Sequence, residues 1–188
     1  MILTEKKQPD IYQVKVTLDG IRPPIWRRIL VTSDTTLSKL HRILQVVMGW
    51  ADYHLHQFII NGTYYGIHDP DLMFDLKDEE KMKLDMVVLQ EQKKFIYEYD
   101  FGDSWYHNIL IEKILPPDTK KHYPVCIKGK RACPPEDCGG EGGYYYFLEA
   151  IQDPEHPEHE EMLEWEGGSF DPEAFDIDEV NRILKKIR

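Results

Sequence analysis

Between Tyr12 and Leu18 apolar and polar side chains alternate without a break. Tyr12, Val14, Val16 and Leu18 fall on one face, and Gln13, Lys15 and Thr17 on the other. Successive side chains of a strand point to opposite sides, so this pattern dictates a strand with one buried and one wet face. Asp19-Gly20 supplies a turn, Pro23-Pro24 stiffens the connection, and Ile25 to Val31 reads as the returning strand of a hairpin. A hairpin alone is marginal, so something apolar has to cover its buried face.

The next segment is that cover. Leu37, Leu40, Ile43, Leu44 and Val47 recur at helical spacing, Thr36 stands where an N-cap is needed, and Gly49 supplies a left-handed stop. His56 to Ile60 and Thr63 to Tyr65 then read as strands, with Asn61-Gly62 between them as a two-residue hairpin turn. A third hairpin runs from Phe95 to Tyr99 and from Trp105 to Ile114 around Asp100-Phe101-Gly102-Asp103. Helical patterns fill the last third: Tyr144 to Ile151, Pro157 to Trp165, and a final helix capped by Asp176 with Glu179 and striped by Ile177, Val180, Ile183, Leu184 and Ile187. Strands first and helices last indicate an α+β fold. Its hairpin–helix–hairpin unit is reminiscent of a β-grasp, with a mixed or antiparallel sheet and the C-terminal helices packed on it. The expectation is one domain over 1–188: a sheet-rich part over about 11–115, a loop over 116–143 that holds all the cysteines, and a helical part over 144–188. Asp69 to Glu80 is densely acidic and reads as an exposed excursion; Met82 to Leu89 fits neither period.

The formal charge of -11 argues against a polyanionic partner such as nucleic acid, except at a local basic patch. The one basic segment, Lys120 to Arg131 with Lys121, Lys128 and Lys130, reads as a solvated loop or as a phosphate-facing one. No apolar run approaches the roughly 18 residues that span a bilayer, and Met1 to Asp10 is charged where a signal peptide is apolar, so a cytoplasmic protein with no membrane partner is expected. With 3 Cys, a disulfide scaffold is not expected.

The strings IRPPIWRRI (Ile21 to Ile29), LHRILQVVMGW (Leu40 to Trp50), HLHQF (His54 to Phe58), YEYDFGDSWYH (Tyr97 to His107), RACPPEDCGG (Arg131 to Gly140), DPEHPEHEEMLEW (Asp153 to Trp165) and FDPEAFDIDEVN (Phe170 to Asn181) resemble the Ri-plasmid (pRiA4b) ORF-3-like family from about Tyr12 to Leu184. That resemblance implies stand-alone proteins or modules of prokaryotes and mobile elements, and implies no catalytic set. The chain departs from the family's pattern at Glu141-Gly142-Gly143 and the Tyr144-Tyr145-Tyr146 that follows.

Five groups of residues have the chemistry for a site. Glu98, Asp100, Asp103 and His107 surround one hairpin turn, where carboxylates beside an imidazole bind a cation or exchange a proton. Their structural alternative is that Asp100 and Asp103 stabilise the turn by bonding its backbone. His54 and His56, two apart, share a face if both lie on a strand, as paired metal ligands do. Cys126, Cys133 and Cys138 have one gap that suits zinc and need a fourth ligand, such as His122 or His107. In Pro134-Pro135-Glu136-Asp137 stiff prolines present two acids to a partner, a cation or Arg131. Trp26-Arg27-Arg28 suits base stacking, but core packing of Trp26 with salt bridges from the arginines is the simpler use.

The leading expectation is therefore a non-enzymatic interaction or ligand-binding module, its partner a protein or a small molecule. Its surface is made by the acidic hairpin turn and the PPED loop: Asp100, Asp103, His107, Arg131, Glu136 and Asp137. The alternatives are a hydrolase-like metal enzyme, with zinc as the candidate metal and His54, His56, Asp100, Asp103 and His107 as ligands, and a nucleic-acid accessory protein using the Lys120 to Arg131 loop. No serine stands in a recognisable triad.

Overall fold

The computed structural model describes residues 8–67, 76–88 and 90–187. Much of the acidic excursion, Asp69 to Asp75, lies outside them.

Among the described residues the chain builds an α+β fold around an eight-stranded sheet. The elements are β1 (Ile11–Leu18), β2 (Trp26–Thr32), α1 (Leu37–Met48), β3 (His56–Ile60), β4 (Thr63–Gly66), β5 (Lys77–Asp78), α2 (Leu84–Val87), β6 (Lys94–Tyr99), β7 (Trp105–Leu115), β8 (Val125–Lys130), α3 (Gly140–Gln152), α4 (His159–Trp165) and α5 (Ile177–Leu184). The strand order is β5-β4-β3-β6-β7-β1-β2-β8, antiparallel except for the parallel β4–β5 pair. The hairpin–helix–hairpin order expected for the first half is realised.

Local chemistry explains the boundaries. The Thr36 side chain accepts from the Lys39 backbone N–H, and Gly49 ends α1 at φ 91 with its own N–H on the Gln45 carbonyl. Asn61 and Gly62 both have positive φ, 53 and 74, as a tight hairpin turn requires. At α5 the Asp176 carboxylate accepts from Asp178 and Glu179 N–H, but Glu179 grips Arg182 instead of returning the bond. Asn181 of α5 brackets the edge strand β8, its Oδ1 accepting from Cys126 N–H at 2.8 Å and its Nδ2 donating to Cys126 C=O at 2.9 Å. That occupies backbone groups an edge would otherwise offer to another chain.

Two local expectations are corrected. The stretch Pro116 to Gly143 is not irregular throughout, because β8 pairs with β2 inside it; Lys128, Gly129 and Lys130 have low strand preference, and the pairing comes from the partner strand. Trp26 does not enter the core. The apolar phase of β2 is set by Ile25, Ile29 and Val31, which puts Arg27 on the buried face at 1% exposure and leaves Trp26 half-buried on the other. Arg27 is satisfied there by the carbonyls of Val47, Trp26 and Lys130 at 2.6 to 2.9 Å and by the Phe175 ring 4.0 Å away.

The buried face of the sheet and α1 form one core, with Val14, Val16, Ile29, Phe58, Tyr97, Ile109 and Ile111 against Leu40, Ile43, Leu44 and Val47, and with Tyr144, Phe147 and Leu184 joining from the C-terminal helices. The opposite face of the sheet is mostly half-buried or exposed, Glu98 of β6 being a buried exception at 6%. No helix among the described residues is long and apolar enough to cross a membrane.

Candidate functional site

Three separate segments meet at one end of the sheet: residues 50–55 ahead of β3, the β6–β7 turn at 100–104, and the loop 131–139 between β8 and α3. Hydrogen bonds fasten them. Trp50 Nε1 donates to the Pro134 carbonyl at 2.9 Å, Ala51 N–H to Glu136 Oε2 at 2.9 Å, and the Tyr99 hydroxyl to Glu136 Oε1 at 2.5 Å. Tyr53 N–H donates to the same Tyr99 oxygen at 3.0 Å, and Gly139 N–H to Asp103 Oδ2 at 3.1 Å. Burial and the Glu136 carboxylate hold the Tyr99 hydroxyl well above the usual phenol range, so it stays a donor. Gly140, at φ 69, is required where α3 reaches the turn, since a Cβ there would lie 2.8 Å from the Asp103 carbonyl oxygen.

The segments bring together His54, Asp100 and Asp137. His54 Nε2 is 3.1 Å from Asp137 Oδ1 and 3.7 Å from Asp100 Oδ2. Yet that nitrogen is buried and makes a hydrogen bond to neither oxygen. One ligand atom from each residue lies within 4.8 Å of the others, the spacing a single metal ion needs. Asp100 Oδ1 is taken by the N–H groups of Gly102 and Asp103, which leaves Oδ2 for the centre of the cluster. The side chains grade from 11% exposed at Asp100 through 26% at His54 to 67% at Asp137, so the cluster opens to solvent on the Asp137 side. Asp100 and Asp137 both hold left-handed backbone, φ 58 and 60, a conformation that costs energy outside glycine and gathers where ligands are gripped.

Below this notch lies a closed polar network. Asp52 N–H donates to Gln45 Oε1 at 3.1 Å, which turns Gln45 Nε2 toward the Tyr97 hydroxyl at 3.0 Å. The phenol therefore accepts from Gln45 and gives its own proton to His41 Nδ1 at 2.7 Å, so His41 carries its hydrogen on Nε2 and donates to Asp52 Oδ1 at 2.9 Å. His41 is buried and stacked on His56 with ring centroids 3.4 Å apart. Burial first, and the neighbouring His56 second, push the His41 imidazole down to about 3, keeping it neutral. His56 itself meets Glu79 at 2.8 Å, both side chains buried.

The residues singled out in the sequence divide accordingly. His54 and His56 do not share a site: His54 precedes the strand and turns to the notch, and His56 turns inward. Asp100, Asp103, Glu136 and Asp137 do converge, but Asp103 and Glu136 spend oxygens on fastening the segments. His107 is fully buried, its Nδ1 donating to the Trp105 carbonyl at 3.0 Å, so it takes no part in the notch. Burial lowers its imidazole to about 4. Arg131 pairs with Glu173 at 2.6 Å and the Pro23 carbonyl, not with the PPED acids. Cys126, Cys133 and Cys138 are free thiols, and no group able to hold a metal among the described residues includes a cysteine. Cys133 lies against Arg27 and Met48. The inner network of His41, Gln45, Asp52, Glu79 and Tyr97 was not legible beforehand; the helical spacing of His41 and Gln45 within α1 was its one available signal.

The family model for plasmid pRiA4b ORF-3-like proteins matches residues 10–179. The chain belongs to that family. It is similar to an uncharacterised protein, y4hQ, of Sinorhizobium fredii (strain NBRC 101917 / NGR234), 38% identical over 177 residues that cover 93% of this chain and 90% of that protein. It is also similar to the crystal structure of a protein of unknown function, MM3350, from Methanosarcina mazei Go1, at 42% identity and a TM-score of 0.83, covering 91% of this chain and 97% of that one. For this ORF-3-like chain, then, the site has to be read from its own geometry.

Proposed function

We propose that this is a divalent-cation-dependent ligand-binding protein whose cation is held by His54 Nε2, Asp100 Oδ2 and Asp137 Oδ1. The observation that carries it is the buried His54 nitrogen beside two carboxylate oxygens from two other segments, bonded to neither. One imidazole and two carboxylates suit zinc, manganese or iron rather than a thiol-seeking metal. Three protein ligands on a solvent-facing cluster leave positions for an exchangeable ligand, whereas structural zinc sites close with four. Exposed Tyr53, Leu55 and Phe101 on the same two segments give that ligand apolar surface to rest on. A cytoplasmic location, with a protein or small molecule as partner, is supported by the free cysteines.

Elemental analysis after loading with zinc or manganese and desalting tests it. Wild-type protein retains about one equivalent per chain, and His54→Ala and Asp137→Asn retain none. Equal retention by wild type and both variants refutes the assignment.

A further inference from the structure

The sheet face turned away from α1 carries a second, chemically opposite surface. Residues paired across antiparallel strands point to the same side, so the registers fix its rows. Lys94, Leu110, Lys15, Arg28 and Lys128 lie side by side across β6, β7, β1, β2 and β8. The adjacent row runs Ile96, Asn108, Thr17, Trp26 and Lys130. Lys94, Lys128, Lys130 and Ile96 are exposed, and Lys15, Trp26 and Arg28 half-buried. The cations of Lys15 and Arg28 stand 5.4 and 5.2 Å from the centroid of Trp26. Tyr106, 41% exposed, continues the surface on β7. Against five cations these two rows hold no acid; Glu112 beside them is clamped by Arg28 at 2.6 and 2.8 Å, and Glu98 lies beyond, beside Tyr106.

We propose that this face binds single-stranded nucleic acid. A chain whose formal charge is -11 has gathered cations on one flat surface, which selects an anionic partner despite the overall field. Four strand spacings make the basic row about 19 Å long, too broad for a major groove about 12 Å wide, so the face does not read duplex edges. An open sheet with aromatic side chains among cations is instead the way unpaired bases are stacked while their phosphates are neutralised. Lys128 and Lys130 come from the basic segment whose remaining members, Lys120, Lys121 and Arg131, sit outside the strands, and Trp26 and Arg28 come from the WRR string. The sheet joins what the sequence keeps a hundred residues apart.

Fluorescence anisotropy with a labelled oligothymidine of about a dozen nucleotides tests the proposal, at low salt and then through a salt titration. The expected result is saturable binding that weakens with salt at a logarithmic slope of about -3, as four or so neutralised phosphates give for a single strand. The double variant Lys128→Glu, Lys130→Glu, on an exposed edge, should lose about tenfold or more with its thermal midpoint unchanged. No binding at low salt overturns the proposal, as does undiminished binding by that variant. Equal affinity for a duplex of the same length, or for a polyglutamate peptide of equal charge, overturns it too. Sedimentation showing that the variant instead dissolves a dimer of this chain assigns the face to a second copy and has the same effect.

Discussion

The notch and the open sheet face are built from the same strands yet obey different rules. In the notch, loops deliver His54, Asp100 and Asp137, backbone is held in left-handed conformations, and nearly every neighbouring polar group is committed to fastening. On the open face, regular strand register alone sets the positions, and side chains such as Lys128 and Lys130 end in solvent. Arg27 and Arg28 mark the boundary: neighbours in sequence, they point to opposite sides, one sealed under α1 and one wet. A binding site for one small cation needs the first kind of construction, since ligand atoms must be placed to tenths of an ångström. A surface for a flexible polyanion is served by the second.

The largest expected effect comes from that boundary pair. Arg27→Ala strips three carbonyls of their donor, that of Val47 buried and those of Trp26 and Lys130 partly so, and should cost about 3 to 5 kcal/mol, whereas Arg28→Ala, losing a partly exposed bridge to Glu112, should cost less than about 1 kcal/mol. Urea unfolding of the two variants reads the difference, and equal costs would erase the distinction between the faces.

Next comes acidification. The His41 and His107 imidazoles are depressed to about 3 and about 4, by burial first, and each takes up a proton more readily once unfolded, near 6.5. The unfolded chain therefore binds more protons below neutrality, and stability is present above about pH 6.5 and lost as the pH falls toward 4. The combined loss is on the order of a few kcal/mol. Thermal midpoints between pH 7 and 4 should fall for wild type and fall less for His41→Gln; a flat profile contradicts the buried neutral network beneath the notch.

A smaller effect is expected of the struts. Tyr99→Phe or Glu136→Gln leaves the three proposed ligands in place but loosens the loop that presents Asp137, and should weaken metal affinity about 10-fold to 100-fold in a calorimetric titration without touching the open face. Smallest of all, Glu112→Gln removes the acid that clamps Arg28 and should strengthen oligonucleotide binding a few-fold, with no change in metal affinity.

What the sequence disclosed follows the same division. Strict alternation in β1, the Asn61-Gly62 turn and the Thr36 and Gly49 signals are local, and the structure repeats them nearly residue for residue. The phase of β2 was harder, because a tryptophan beside two arginines looks like the core residue until Ile25, Ile29 and Val31 are counted and Arg27 proves to share their side. Strand β8 was hidden because its lysines and glycine have no strand preference of their own. In the notch, the turn and the PPED loop were visible as unusual strings, but their meeting with residues 50–55 depends on contacts between residues 36 to 85 apart in the chain. The same long range took His107 and Arg131 out of the site: one faces the core because of strand parity, and the other is claimed by Glu173.

The central claim is that three segments converge to make a cation site. Anomalous diffraction from a crystal soaked in manganese tests it most directly. The account predicts one strong peak within bonding distance of His54 Nε2, Asp100 Oδ2 and Asp137 Oδ1, absent in His54→Ala; a peak among other residues, or none at these three, would contradict it.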